Sequence, residues 1–180
     1  MGDDPAALAQ IKAFKPGGMT RFFGPDVAHD HALLTAMQTI AAVPLLVSAE
    51  LEGSRVSIAG GTSVLNPLAL AAIDDLGVTR ATCRIMAEAA LAIGVNWSFT
   101  PVLDINAAWR SAIVATRGFG RDRAVSKRHA LAKIAVFQAH RLAATAKHWP
   151  GEGCDDRDQH LVTTINPLKM AEWEAHFGTL

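Results

Sequence analysis

The chain has 180 residues, half of them apolar, and its 17 basic residues are balanced by 17 acidic ones. That is enough apolar content for one sizeable core and predicts a single domain over 1–180. With no basic stripe to meet phosphates, nucleic acid is excluded as the main partner.

Four short apolar runs, residues 19–23, 44–49, 95–99 and 142–146, alternate with helical patterns. This alternation is the signature of βα units around a parallel sheet, so the fold class expected is α/β. Between the first two runs, Val27, Leu34, Met37 and Ile40 recur at helical spacing behind a Pro25-Asp26 start. A second helix is expected with Val78, Ala81, Ile85, Met86, Ala89 and Ile93 on its buried face, stopping at Gly94. A third starts at an Asp122 cap, carries Val125, Ile134, Val136 and Ala139, and ends near Arg141. A fourth is expected to start at Asn166-Pro167, to place Met170, Trp173 and Phe177 on one stripe, and to end at Gly178.

The residues after each run are more informative than the run itself. Residues 44–49 lead into Glu50-Leu51-Glu52-Gly53-Ser54-Arg55, residues 95–99 into Thr100-Pro101-Val102-Leu103-Asp104, and residues 142–146 into Lys147-His148. Polar groups therefore collect at the C-terminal ends of successive parallel strands, where α/β barrels and doubly wound sheets place their ligands.

Taken singly, most of these residues have plain structural readings. Gly60-Gly61 and Gly118-Phe119-Gly120 do not form a dinucleotide fingerprint between a strand and a helix, so no nucleotide cofactor is expected. Arg117 belongs to a loop, where it is either a solvated charge or a fork of donors for hydroxyls or a carboxylate. Glu50, Glu52 and Asp104 could be caps, ion-pair partners or ligand contacts, and their place at strand ends favours function for Glu50 and Asp104. His29, His31, His129, His140 and His176 fall on helices or their approaches and read as surface or interface residues.

The loop from Lys147 to His160 is the densest in chemistry. Asp155, Asp156, Asp158, His148 and His160 are metal-ligand types, but no ligand spacing supports a site, and no metal is expected. Acid/base work by an Asp-x-His pair is the alternative: Asp158 can bond one ring nitrogen of His160 and fix its tautomer, leaving the other to move a proton. Cys83 and Cys154 lack paired spacing and fit a reducing compartment. With no signal-peptide pattern and no membrane-length apolar run, a cytoplasmic protein without a membrane partner is expected.

Four stretches together resemble glycoside hydrolase family 3: Leu46-Val47-Ser48-Ala49-Glu50-Leu51-Glu52-Gly53-Ser54-Arg55-Val56, Phe99-Thr100-Pro101-Val102-Leu103-Asp104-Ile105, Thr116-Arg117-Gly118-Phe119-Gly120, and Lys147-His148-Trp149-Pro150-Gly151-x-Gly153 with Asp158-x-His160. The resemblance is to the first part of that family's (β/α)8 barrel and to its β-N-acetylhexosaminidase branch. It implies a partial TIM barrel of about four to five βα units and a retaining glycosidase acting on terminal β-linked sugars. It further implies catalytic roles for His160 and Asp158, sugar binding by Glu50, Arg117, Lys147 and His148 with Asp104 beside them, and no cofactor. The family's attacking Asp lies on a late strand, beyond Leu180, so the chain alone is expected to lack its nucleophile and to self-associate through open barrel edges. A sugar-binding protein that does not cleave, or a β-glucosidase-type member, are the alternatives. Several positions depart from the family's usual pattern: Glu50 stands for a common Asp, Ser54 for a Gly, Glu152 for a His and Gln159 for a Ser.

Overall fold

In the computed structural model, which describes residues 4–21, 26–54, 56–58, 60–108 and 110–180, four strands pair in chain order: β1 (Gly18–Thr20), β2 (Leu46–Ala49), β3 (Trp97–Ser98) and β4 (Ala143–Ala144). All three pairings are parallel, with Thr20 opposite Ser48, Ala49 opposite Ser98, and Ser98 opposite Ala144. The strands overlap the four apolar runs. Phe22 and Phe23 of the first run, the Pro25 of the expected helix start and Arg55 lie outside the described residues.

Side-chain alternation along β2 decides which residues reach the site. Leu45, Val47, Ala49 and Leu51 are buried in the main core against the helices, so Ser48, Glu50 and Glu52 fall on the opposite side of the extended chain. Two carboxylates two residues apart therefore leave the end of one strand in the same direction. Entry to the sheet is tied by Asn96, whose amide donates to Leu45 O at 3.0 Å and accepts from Val47 N at 2.8 Å.

The helices are α1 (Asp4–Phe14), α2 (Val27–Ile40), α3 (Pro67–Ile73), α4 (Leu76–Ala92), α5 (Arg123–Ala139) and the short α6 (Met170–Trp173). Their starts follow local chemistry: Asp26, Asn66, Asp75 and Asp122 each accept a backbone N–H of the first turn, satisfying donors that have no partner inside the helix. Gly94, at φ +94°, follows the end of α4 as expected. Neither α1 nor α3 stands out from the sequence pattern. The expected fourth helix is also corrected: Asn166 turns the chain through a bond from Leu168 N at 3.1 Å, the helix begins only at Met170, and Glu174–Gly178 continues it as a π-helical turn.

The face expected for the second helix is rotated. In α4 the buried residues are Thr79, Thr82, Cys83, Met86, Ala87 and Ala90, and Ala81 and Ile85 face outward. In α5 they are Ser126, His129, Ala130, Ala132, Lys133 and Phe137. Polar residues occupy these stripes because many find partners inside. His129, expected at the surface, is fully buried: its Nδ1 meets Thr79 Oγ1 at 2.8 Å, its Nε2 meets Asp74 Oδ1 at 3.1 Å, and its ring stacks on Phe119. It joins α3, α4 and α5.

His129→Ala should lower unfolding free energy by about 3 kcal/mol, since it opens a cavity and removes the buried bonds to Thr79 and Asp74. Urea titration measures this; a loss below about 0.5 kcal/mol, the scale of a surface change, would contradict the joint.

Candidate active site

At the C-terminal end of β2, Glu52 is almost wholly buried, at 1% exposure. A carboxylate there needs compensating charge, because water is gone. Arg117, delivered by the Thr116–Gly120 loop, supplies a two-pronged fork: Nε to Oε2 at 2.7 Å and Nη2 to Oε1 at 2.8 Å. Lys147, from the end of β4, adds its ammonium at 3.0 Å from Glu52 and 3.0 Å from Glu50. Burial pushes the Glu52 carboxyl up, but the bonds and charges of Arg117 and Lys147 outweigh it and hold it below its ordinary value. Arg117 is correspondingly raised, chiefly by its bond to Glu52.

The turn after Glu52 is held by its glycine. Gly53 sits at φ +123°, and a Cβ there would lie 2.3 Å from Leu65 O, so a side chain would push the turn off its position. Glu52 N and Gly53 N both donate to Val56 O at 2.9 Å. Glu50, one step earlier and more exposed, keeps one face toward solvent and Lys147. That leaves Glu50 and the Lys147 ammonium as the polar groups best placed to meet a ligand.

Beneath this set lies a residue absent from the sequence-derived site. Lys133 of α5 is fully buried, and its Nζ donates to Leu51 O at 2.6 Å and toward Glu52 O at 3.4 Å. Burial pulls its ammonium down to about 8. The available signal is its spacing: His129, Lys133 and Phe137 form one i, i+4, i+8 stripe. Glu52 is likewise hard to weigh from sequence, because its partners lie 65 or more residues away.

Asp104 and His148 form a second cluster beside the first. His148 Nδ1 meets Asp104 Oδ2 at 2.5 Å, and Glu152 N donates to Asp104 Oδ1 at 2.6 Å. Both oxygens of Asp104 are thus committed, and it is buried. Asp104 stands behind His148 and fixes its ring, leaving Nε2 for a ligand. The Lys147–His148 and Trp149–Pro150 peptide bonds here are cis. Gly153 lets the loop press close, since a Cβ would come 2.3 Å from Ile105 O.

Asp158 and His160 pair as expected, with Oδ1 accepting from His160 N at 2.9 Å and 2.7 Å from Nδ1. The backbone bond first, and then the imidazole, holds the Asp158 carboxyl below its ordinary value; the charge of Arg117 contributes too. The imidazole itself is 70% exposed.

Among the described residues, the metal-type residues weighed in the loop do not gather as one set: Asp155 is taken by Arg157 and Ile165 N, and Asp158 pairs with His160. Among the described residues, Asp104, His148 and Glu152 do converge, with ligand atoms within 4.8 Å. The Asp104–His148 hydrogen bond requires a proton on Nδ1, however, and that nitrogen cannot then ligate.

The family model described as the Glycosyl hydrolase family 3 N terminal domain matches residues 16–178. A protein named beta-N-acetylglucosaminidase/beta-glucosidase from Cellulomonas fimi is 41% identical over 150 residues, covering 83% of this chain and 27% of its own. Among solved structures, a beta-glucoside phosphorylase bound to 2FGlc aligns with a TM-score of 0.88 at 32% identity, over 96% of this chain and 31% of that one. Native NagZ from Neisseria gonorrhoeae aligns with a TM-score of 0.81 at 28% identity, over 89% and 50%. The four βα units are thus part of a TIM barrel, as expected. The chain spans about a quarter to a half of the length of the curated relatives it matches.

The buried lysine gives a pH test. Folded, Lys133 releases its proton near 8, whereas the unfolded chain keeps it to the ordinary 10.5. The unfolded state therefore holds more protons between these values, and the lysine's contribution to stability rises with pH across that window. Melting temperatures of the wild type and Lys133→Met, compared from pH 7.5 to 10.5, should shift relative to each other in favour of the wild type as pH rises; parallel curves would contradict the burial of the charge.

Proposed function

This chain belongs to glycosyl hydrolase family 3, and from that premise we propose that it supplies the sugar-binding and acid/base half of a retaining glycosidase for terminal β-linked N-acetylhexosaminides. The observation that carries the reading is the Lys147 ammonium held between Glu50 and Glu52 at 3.0 Å from each, beside Arg117 and His148. Such a rigid alternation of donors and acceptors suits the vicinal hydroxyls of a sugar ring.

In this mechanism Glu50, Arg117, Lys147 and His148 hold the ring. Asp158 bonds Nδ1 of His160, so with the ring in its imidazolium form Nε2 donates its proton to the glycosidic oxygen as the bond to the anomeric carbon breaks, leaving a neutral imidazole. A carboxylate attacks that carbon and forms the glycosyl intermediate; His160 then takes a proton from the incoming acceptor. The mechanism needs that carboxylate in addition to the groups named, and this reading assigns it to another strand of the family's barrel. Among the described residues β4 is the end strand of the sheet, and its free edge suits further units, or a second copy, pairing there. Among the described residues no helix is long and apolar enough to cross a membrane.

One observation favours a second acceptor. A solved neighbour is named a beta-glucoside phosphorylase, and an imidazole in the acid/base position does not repel an incoming phosphate as a carboxylate would. In that reading phosphate replaces water and the product is a sugar phosphate. The name of the Cellulomonas fimi relative also carries glucosides as an alternative sugar.

Saturable NMR shifts on adding millimolar N-acetylglucosamine to the chain should weaken about tenfold in Lys147→Met, which removes charged hydrogen bonds. Absence of saturable binding would overturn the reading. Turnover of a chromogenic β-N-acetylglucosaminide by these 180 residues alone should be negligible, and ordinary turnover lost in His160→Ala would place the attacking carboxylate within them.

A further inference from the structure

Residues 158–162 form one tight turn, with Leu161 N and Val162 N both donating to Asp158 O. The turn carries the Asp158–His160 dyad, yet little packing holds it: Leu161 is 81% exposed and Val162 47%. Among the described residues, it reaches the rest of the fold through one side-chain hydrogen bond, from Gln159 Nε2 to Glu152 Oε1. Of Glu152 it is the backbone that is held, its Oε2 being buried without a hydrogen-bond partner among the described residues. Its N–H is bound by the buried Asp104, and that Oε2 lies 3.7 Å from His148 Nδ1.

A continuous chain of contacts therefore runs from the sugar-facing His148 through Asp104 and Glu152 to Gln159, which sits between the two members of the dyad. Both ends of the Glu152–Gln159 bond are positions where this sequence departs from the pattern it otherwise resembles. The two departures touch. A carboxylate and an amide are complementary as acceptor and donor, so the pair forms one interaction rather than two separate changes.

We infer that Glu152 and Gln159 form a latch that positions the acid/base turn against the Asp104–His148 cluster, and so sets where His160 stands relative to a bound sugar. The two are positioning residues: they act through His148 and the turn. The catalytic part of this inference rests on the glycosidase reading. The latch itself rests on the contacts alone.

The test exchanges the partners. Gln159→Glu places two carboxylates in contact and opens the latch, whereas Glu152→Gln with Gln159→Glu restores an amide–carboxylate bond in the opposite sense. Hydrogen exchange of amides 152–162 in the full chain should quicken about tenfold in Gln159→Glu and return toward wild type in the double variant. On protein translated from the whole reading frame, the single change should lower kcat about tenfold or more with little change in KM. That loss should be larger for an alkyl than for a dinitrophenyl leaving group, which hardly needs protonation, and the double variant should recover it. Exchange unmoved by Gln159→Glu, or loss not recovered by the swap, would overturn the latch. A wild type without turnover whose loop exchange still responds to the swap would overturn the glycosidase reading and leave the latch standing.

Discussion

A carboxylate sealed from water cannot stay charged without cations close by, and Glu52 meets that requirement with Arg117 and Lys147. Three separate parts of the fold converge to do so. Glu52 comes from the end of β2, Arg117 from the loop before α5, and Lys147 from the end of β4. Removing either cation leaves the buried carboxylate with one partner where it now has two, and removing the carboxylate takes from Arg117 its two-pronged acceptor, so the interaction fixes the relative positions of strand ends that the short sheet alone would hold loosely. Lys133 reinforces the same point from below through the carbonyls of Leu51 and Glu52.

The groups left open to a ligand depend on this buried set. Glu50 shares the Lys147 ammonium with Glu52, and the side-chain alternation that buries Val47, Ala49 and Leu51 on the core side sends both carboxylates the other way. Asp104 does for His148 what Glu52 does for Lys147, holding one atom so that another is free. The site thus has an inner layer of committed charges and an outer layer of groups whose remaining valences face solvent.

Much of this was legible in the sequence, and the reasons are local. Apolar runs marked the four strands, two of them stopping at a charge, Glu50 and Lys147, and the spacing of Asp158 and His160 predicted their pairing. What escaped was non-local. Nothing near Glu52 announces Arg117, and nothing near Asp104 announces that His148 and Glu152 N use both its oxygens. The face of α4 was misplaced for a related reason: a pattern read from apolar residues cannot anticipate Thr79, His129 or Lys133 inside, since each is acceptable there only because a partner from another element meets it.

The central claim is that Glu52 organises the site without itself offering a free atom to ligand. The most direct measurement is the affinity of the Glu52→Gln chain for N-acetylglucosamine, read by NMR titration beside the wild type. An amide cannot hold both cations, so affinity should fall at least about tenfold while the chain remains folded. Wild-type affinity in a folded Glu52→Gln protein would contradict the account.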